Sequence, residues 1–326
     1  MYIVTGGAGF IGTNLIRGLN QQGIDEILVV DELDQADKHL GLSGLDFADF
    51  VDHRELAGRW DELIDSDIEA VFHQGACSDT MESDGRYMMD VNYECSKEIL
   101  HACLDEEVPF LYASSASVYG NGDAGFREAP ECESPLNVYA FSKFLFDRYV
   151  ARYATGAGSQ VAGLRYFNVY GPQEQHKGRM ASVVKHFHDQ LTEGGSMKVF
   201  EGSDGFLRDF VFVDDVVAVN MWLLENPEVS GVFNCGTGSA RSFLDIANCM
   251  RGMYPGKDGG EAGIETIPFP EALVGKYQAF TSADLTRLRA AGFDGEFTSL
   301  EDGVKSYVEC LRTTGGYYRK AAPAKV

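Results

Sequence analysis

The chain has 326 residues, 50 of them acidic and 27 basic, for a formal net charge of −23. Such a field repels nucleic acid and anionic membrane surfaces, so an anionic ligand would need a locally basic site. The length fits one large or two modest domains, and 44% hydrophobic residues suffice for a sizeable core.

Residues 2–5 form a short apolar run ending in glycines, as a buried parallel strand does. Residues 10–22 follow with helical spacing, placing Ile11, Leu15, Ile16 and Leu19 on one side. A second strand over 27–30 ends at Asp31, and further buried strands are expected at 70–72, 110–113 and 161–165. Between them, 87–106 reads as one long amphipathic helix and 139–153 as another. Strand and helix alternate, so the fold class is α/β: a Rossmann-type, doubly wound parallel sheet. After about Gly171 elements shorten and Gly and Pro become frequent, as in a smaller α/β substrate-binding domain. The expected division is 1–171, which also receives part of 210–240, then 172–315, then a frayed tail over 316–326.

Seven cysteines (Cys77, Cys95, Cys103, Cys132, Cys235, Cys249 and Cys310) are scattered, with no zinc-like spacing. They read as reduced thiols, no segment has the apolar length of a membrane span, and the N-terminus enters a strand at once. A cytoplasmic location is the expectation. No metal site is expected either, because His186 and His188, two apart on a helix, diverge.

Gly6, Gly9 and Gly12 lie between the first strand and the first helix. Gly6 permits a tight turn, Gly9 lets a pyrophosphate approach the helix N-terminus, and Gly12 allows close helix packing. Asp31 closes the second strand 19 residues after Gly12, where a carboxylate accepts from a ribose hydroxyl. Glu32 adds a second carboxylate that disfavours a 2′-phosphate, and Lys38 offsets it. NAD and NADP both remain open.

Tyr139 and Lys143 are four apart and share a helix face. Removing hydride from a carbinol requires a base for its proton, and a free phenol at pKa about 10 is too weakly ionised at neutral pH. A nearby ammonium stabilises the phenolate and lowers that value. Residues 114–120 supply serines at the carboxyl edge of the sheet, with Ser115 placed to bond the substrate oxygen.

Glycine turn, serine cluster and Tyr-x-x-x-Lys, in that order, resemble the extended short-chain dehydrogenase/reductase family. The resemblance extends through 165–172 and 208–216, which in that family close the nicotinamide site and contact a sugar nucleotide. Residues 1–12, 82–92, 176–182, 200–203 and 276–281 resemble its sugar-nucleotide epimerase branch acting on ADP-heptose. The segment His176-Lys177-Gly178 is the most discriminating of these.

The resemblance implies epimerisation at C6″ of an ADP-heptose, in lipopolysaccharide inner-core biosynthesis. Hydride would leave one face of the carbon and return to the other. It implies one tightly bound NADP or NAD per subunit, and a homo-oligomer. Lys177 takes the part of a second acid/base opposite the tyrosine, or neutralises phosphate. Phe10, Ile11, Asp31, Glu32, Lys38, His53, Gln74, Gly75, Ala76, Cys77, Ser78, Asn92, Lys143, Val169 and Lys177 match cofactor contacts. Asn168, Arg179, His186, Phe200, Glu201, Gly202, Ser203, Arg208 and Tyr277 match substrate contacts. Arg208 suits a diphosphate, which a guanidinium grips bidentately.

Three residues depart from the pattern. Glu32 and His53 replace an amide and a lysine suited to a 2′-phosphate, and Arg179 replaces a small hydroxyl residue. Two other readings compete: another sugar-nucleotide 4-epimerase or dehydratase, and a redox-sensing module without catalysis. Dehydration needs an acid pair beside the active-site strand, where this chain has Ser115-Ala116-Ser117. Intact Ser115, Tyr139 and Lys143 argue against a catalytically dead module.

Overall fold

The structure, a computed structural model, describes residues 1–35, 37–256, 259–269 and 278–318. The first part of the chain runs β1 (Tyr2–Thr5), α1 (Phe10–Gln21), β2 (Ile27–Asp31), α2 (Lys38–Leu42), β3 (Asp49–Asp52), α3 (Trp60–Leu63) and β4 (Ala70–His73). Then come α4 (Gly85–Met89), α5 (Cys95–Asp105), β5 (Phe110–Ser115), α6 (Val138–Tyr153), β6 (Val161–Tyr166), β7 (Asn168–Tyr170), α7 (Val183–Thr192) and β8 (Met197–Phe200). The remainder is β9 (Leu207–Phe212), α8 (Val213–Glu225), β10 (Gly231–Cys235), β11 (Ala240–Ser242), α9 (Phe243–Arg251), β12 (Ile264–Ile267), α10 (Thr286–Ala290) and α11 (Leu300–Thr314).

Seven strands form one parallel sheet in the order β10-β6-β5-β4-β1-β2-β3. Chain order reverses between β1 and β4, so a crevice opens there at the carboxyl ends of the strands. Both faces of the sheet are covered. Leu15, Ile16 and Leu19 of α1 pack with Val217 and Met221 of α8 over Val4 and Val29. On the other face Ile99 and Leu100 of α5 and Phe146 of α6 cover Ile3, Val71 and Phe110. Burying each such side chain contributes about 1.5–3 kcal/mol. These strands read as nearly unbroken apolar runs because both faces are dry.

Beyond the carboxyl edge lies a smaller layer. Its sheets are β11-β9-β7 and β12-β8. A third core of Val184, Phe187, Met197, Val199, Ile246, Val304 and Tyr307 holds them to α7, α9 and α11. The chain returns from it to the main sheet through α8 and β10, which pairs with β6.

Two local differences from the sequence reading have physical causes. The expected helix over 87–106 is α4 and α5 joined by one π-helical segment, Asp90–Glu94. Its widened turn carries Asn92, fully buried, towards the neighbouring helix and loop. At the expected frayed tail, Gly316 instead accepts from the Gln173 amide at 2.8 Å, and Arg17 sits 4.2 Å from the Tyr318 ring centroid. Residues 319–326 of that tail lie outside the described residues.

Candidate active site

A cleft of about 1180 Å³ runs along the carboxyl edge of the main sheet, from β2 across β1 and β4 to α6. At its floor is the glycine turn. Gly6 has φ +64, and a Cβ there would meet the Gly75 nitrogen at 2.6 Å. A Cβ on Gly12 would meet the Gly6 carbonyl at 2.1 Å. Gly12 therefore makes room for the turn itself, rather than for helix against sheet. Gly9 precedes α1 and has no side chain to cap it, so the first-turn amides have no intrahelical acceptor.

Asp31 stands at the end of β2, 8% exposed. One carboxylate oxygen accepts from the Ala8 amide at 2.8 Å, tying the glycine turn to β2. The other accepts from the Glu32 amide at 2.7 Å and from Lys38 Nζ at 3.1 Å. Burial alone would lower the Lys38 ammonium, but Asp31, Asp34 and Glu32 together hold it above its ordinary value. His53 Nδ1 lies 3.8 Å from both Glu32 and Asp52.

On β4, a directed chain of hydrogen bonds fixes the strand tip. Ser96 Oγ donates to the Asn92 carbonyl, so it accepts from His73 Nε2 at 2.7 Å. His73 Nδ1 then accepts from Thr5 Oγ1 at 2.7 Å, and that hydroxyl accepts from the Gly75 amide. Burial, then the nearby Lys143, push the imidazole down to about 3, so it is neutral.

Gln74 faces the other way. Tyr166 OH accepts from Asn220 and donates to Gln74 Oε1, both at 3.0 Å. This assigns the amide orientation and leaves Gln74 Nε2 buried with no acceptor among the described residues. An orphaned donor, uncapped helix amides and a ribose-side carboxylate on one cleft fit a dinucleotide.

The trio expected to be catalytic, Ser115, Tyr139 and Lys143, lines the far end. The Tyr139 phenol faces the Ser115 hydroxyl. Burial pushes that phenol up, Ser115 pulls it down, and Lys143 is not among the causes. Instead Lys143 Nζ donates to the Ala113 carbonyl on β5 at 2.8 Å. Burial brings its ammonium down to about 8 against the opposing pull of Asp147 and Cys77. Asp147, one turn further along α6, accepts from Tyr112, Ser114 and the buried Arg165.

Lys177 reaches the cleft from the smaller layer. Its Nζ lies 4.8 Å from the Phe10 ring centroid and 3.8 Å from a Glu174 carboxylate oxygen. Burial lowers it, opposed by Glu174. His176 beside it is pushed down to about 4 by burial and then by Lys38 and Lys177. Lys38, Lys143, His176, Lys177 and Arg179 thus line one cleft of an acidic protein.

Of the expected cofactor contacts, all but Asn92 line this cleft. Asn92 stands behind it. Its Oδ1 accepts from the Cys77 amide at 2.7 Å, and its Nδ2 donates to the Cys77 carbonyl at 2.9 Å. Nδ2 also donates to Ser142 Oγ at 3.2 Å, which donates to the Tyr139 carbonyl. Asn92 therefore clamps the Cys77 turn to α6.

Among the expected substrate contacts, Ser115, Asn168 and Arg179 line the cleft. The Arg179 guanidinium bonds Asp79 across it at 2.5 Å. His186, Phe200, Glu201, Gly202, Ser203 and Arg208 stand outside the lining, in the smaller layer. Arg208 donates to the carbonyl of Gln278, which does line the cleft. Tyr277 lies outside the described residues. The sequence reading missed Arg54, Asp79, His176 and Gln278 in the lining, and Glu174 behind it. His176 lay in a segment already singled out, whereas the others carry no motif.

The family model described as the NAD dependent epimerase/dehydratase family matches residues 2–236. A protein of Brachyspira hyodysenteriae (strain ATCC 49526 / WA1) named ADP-L-glycero-D-manno-heptose-6-epimerase is 56% identical over 323 residues, covering 97% of this chain and 99% of that protein. The crystal structure of Helicobacter pylori ADP-L-glycero-D-manno-heptose-6-epimerase is 28% identical, with TM-score 0.79 and 96% of each chain covered. That of Thermotoga maritima UDP-glucose 4-epimerase with UDP-glucose is 27% identical, with TM-score 0.79, covering 96% of this chain and 99% of that one.

Proposed function

The chain belongs to the NAD dependent epimerase/dehydratase family, and from that premise we propose that it interconverts ADP-D-glycero- and ADP-L-glycero-D-manno-heptose by inverting C6″. The observation that carries this reading is two proton-handling groups on one cleft, Tyr139 on α6 and Lys177 on the smaller layer. The 56% identity to a heptose epimerase over nearly the whole chain supports the substrate.

A bound dinucleotide would supply reversible hydride transfer at C6″. The glycine turn, Asp31 and Gln74 Nε2 would hold it. Tyr139 takes the C6″ hydroxyl proton, with Ser115 facing its phenol and aligned on the substrate oxygen. Lys143 lends positive charge beneath the phenolate. Lys177 serves the opposite face of the keto intermediate, donating the proton that Tyr139 cannot reach. Asn168 and Arg179 contact the sugar, and Arg208 holds the Gln278 carbonyl at the edge of the cleft. The clamp through Asn92 and Ser142 keeps Tyr139 in register with the Cys77 turn.

NAD is the favoured cofactor, one tightly held per subunit. Asp31, Glu32, Asp34 and Asp52 surround the ribose end, while Lys38 is engaged by Asp31 and Arg54 by Asp52. A 2′-phosphate would face an excess of carboxylates over cations there. The protein works in the cytoplasm as a homo-oligomer, in keeping with seven unpaired cysteines and with no helix among the described residues long and apolar enough to cross a membrane.

The test is turnover of ADP-D-glycero-D-manno-heptose by purified protein, followed by NMR. Formation of the C6″ epimer without net reduction of dinucleotide is the expected result. Steady accumulation of reduced cofactor would indicate a dehydrogenase, and loss of water a dehydratase.

A further inference from the structure

Between β7 and α7 the chain makes a strap, residues 174–182, that carries Lys177 over the cleft. Its two ends meet at Glu174, which is 0% exposed. One Glu174 oxygen accepts from the Ser182 amide at 2.7 Å, and the other from the Ser182 hydroxyl. The Tyr307 phenol of α11, itself buried, faces the same carboxylate. Lys177 Nζ lies 3.8 Å away, with its side chain 22% exposed.

A carboxylate withdrawn this far from water needs either a proton or partners that stabilise its charge. Two hydrogen bonds from Ser182, the facing Tyr307 phenol and one ammonium supply them. The same carboxylate is the acidic partner of Lys177. The other groups around that ammonium are the Phe10 ring on α1 and His176, a neutral imidazole on the strap. Tyr307 approaches from α11 against Glu174, and its hydroxyl also accepts from Gln175 Nε2 of the strap at 3.3 Å.

We propose that Glu174 is a positioning residue for Lys177: it closes the strap and sets how readily the Lys177 ammonium gives up its proton. The value to Lys177 as an acid/base rests on the epimerase reading above, but the electrostatic coupling does not. A group that must both donate and accept a proton works best with its pKa near ambient pH. Burial pushes Lys177 towards that range, and Glu174 restrains the shift. Tyr307 in turn weakens Glu174, because its facing phenol dipole offsets part of the carboxylate charge.

The experiment measures the pH dependence of Lys177 acetylation by acetic anhydride, residue by residue with mass spectrometry, on the protein as purified. Glu174→Gln keeps the shape and removes the charge, so the Lys177 midpoint moves down by about 1 unit, a typical effect of losing one close opposite charge. Tyr307→Phe leaves the carboxylate less satisfied, so the midpoint moves up. A carboxylate that only closes the strap would leave the Lys177 midpoint unmoved in Glu174→Gln, and that result overturns the proposal. Should Glu174→Gln fail to fold, an unmoved midpoint in Tyr307→Phe does the same. The epimerase reading is tested separately by Lys177→Met. An active Lys177→Met enzyme removes the lysine from catalysis without touching the coupling between Lys177 and Glu174.

Discussion

Lys143 hangs from the Ala113 carbonyl of β5 at 2.8 Å, one helical turn beyond Tyr139, and spends a hydrogen bond there rather than on the phenol. In the proposed mechanism the ammonium acts through its field on the phenolate, not through a hydrogen bond. Burial has brought it down to about 8, so it is charged below that pH and discharged above it. As pH rises through about 8 the phenolate loses its cationic neighbour, and turnover is expected to fall on the alkaline side. A pH profile of kcat checks this. A flat profile to pH ~10, the ordinary range of a lysine, would show that the charge of Lys143 is not used.

Tyr139→Phe removes one oxygen and keeps the ring. Turnover should fall by roughly 10²–10⁴, the usual worth of a positioned acid/base. Bound dinucleotide, measured by release and mass, should be unchanged. Ser115→Ala, which removes the partner of that phenol, should give a smaller loss of the same kind.

Asn92→Ala leaves the Cys77 amide and carbonyl without their partner. A fully buried orphaned group costs about 1–3 kcal/mol, and these part-buried ones cost less. Melting temperature and bound cofactor should fall together, with kcat reduced because Ser142 no longer ties α6 to the Cys77 turn. A variant with wild-type stability and only weakened cofactor binding would instead make Asn92 a direct ligand contact.

His73 links acid stability to the β4 tip. In the unfolded chain an imidazole takes a proton near pH 6.5, whereas buried His73 resists until about 3. Between those values the unfolded state binds more protons, so stability falls as pH falls, by up to about 1.4 kcal/mol per unit from this one group. Denaturant unfolding at pH 6.5, 5.5 and 4.5, roughly spanning that window, should show a shallower slope for His73→Gln, which keeps a donor and an acceptor. Identical slopes would place the acid sensitivity elsewhere.

The dinucleotide released from purified protein should be NAD. Replacing Glu32 with Asn and His53 with Lys removes one carboxylate and adds one cation at the ribose end. That double variant should shift preference towards NADP, read as the ratio of the two dissociation constants. Release of NADP from the unaltered protein would reverse the assignment.

Much of this architecture is legible in the sequence because its signals are local. Tyr2–Thr5 with Gly6, Gly9 and Gly12 declares a strand, a turn and a helix within 12 residues. Tyr139 and Lys143 declare a shared face by spacing alone. What escapes is long-range or polar. β3 is half-exposed and acidic, Asp49–Asp52, so it lacks the apolar run of its neighbours. The π-helical turn at Asn92 makes sense only once Cys77 and Ser142 stand beside it. Glu174 reads as a solvated loop acid until α11 brings Tyr307 against it, more than a hundred residues later. The ammonium of Lys143 follows the same logic: spacing places it near Tyr139, but the strand carbonyl that holds it comes from β5.

The most direct test follows one atom. ADP-heptose carrying deuterium at C6″ is converted by the purified protein in ordinary water, and the product is read by NMR and mass. Retention of the deuterium at C6″ with inverted configuration is the expected result, because the hydrogen leaves and returns through one bound cofactor while only the hydroxyl proton passes through Tyr139 and Lys177. Replacement of that deuterium by solvent hydrogen would mean inversion by proton abstraction at carbon, and would contradict the account.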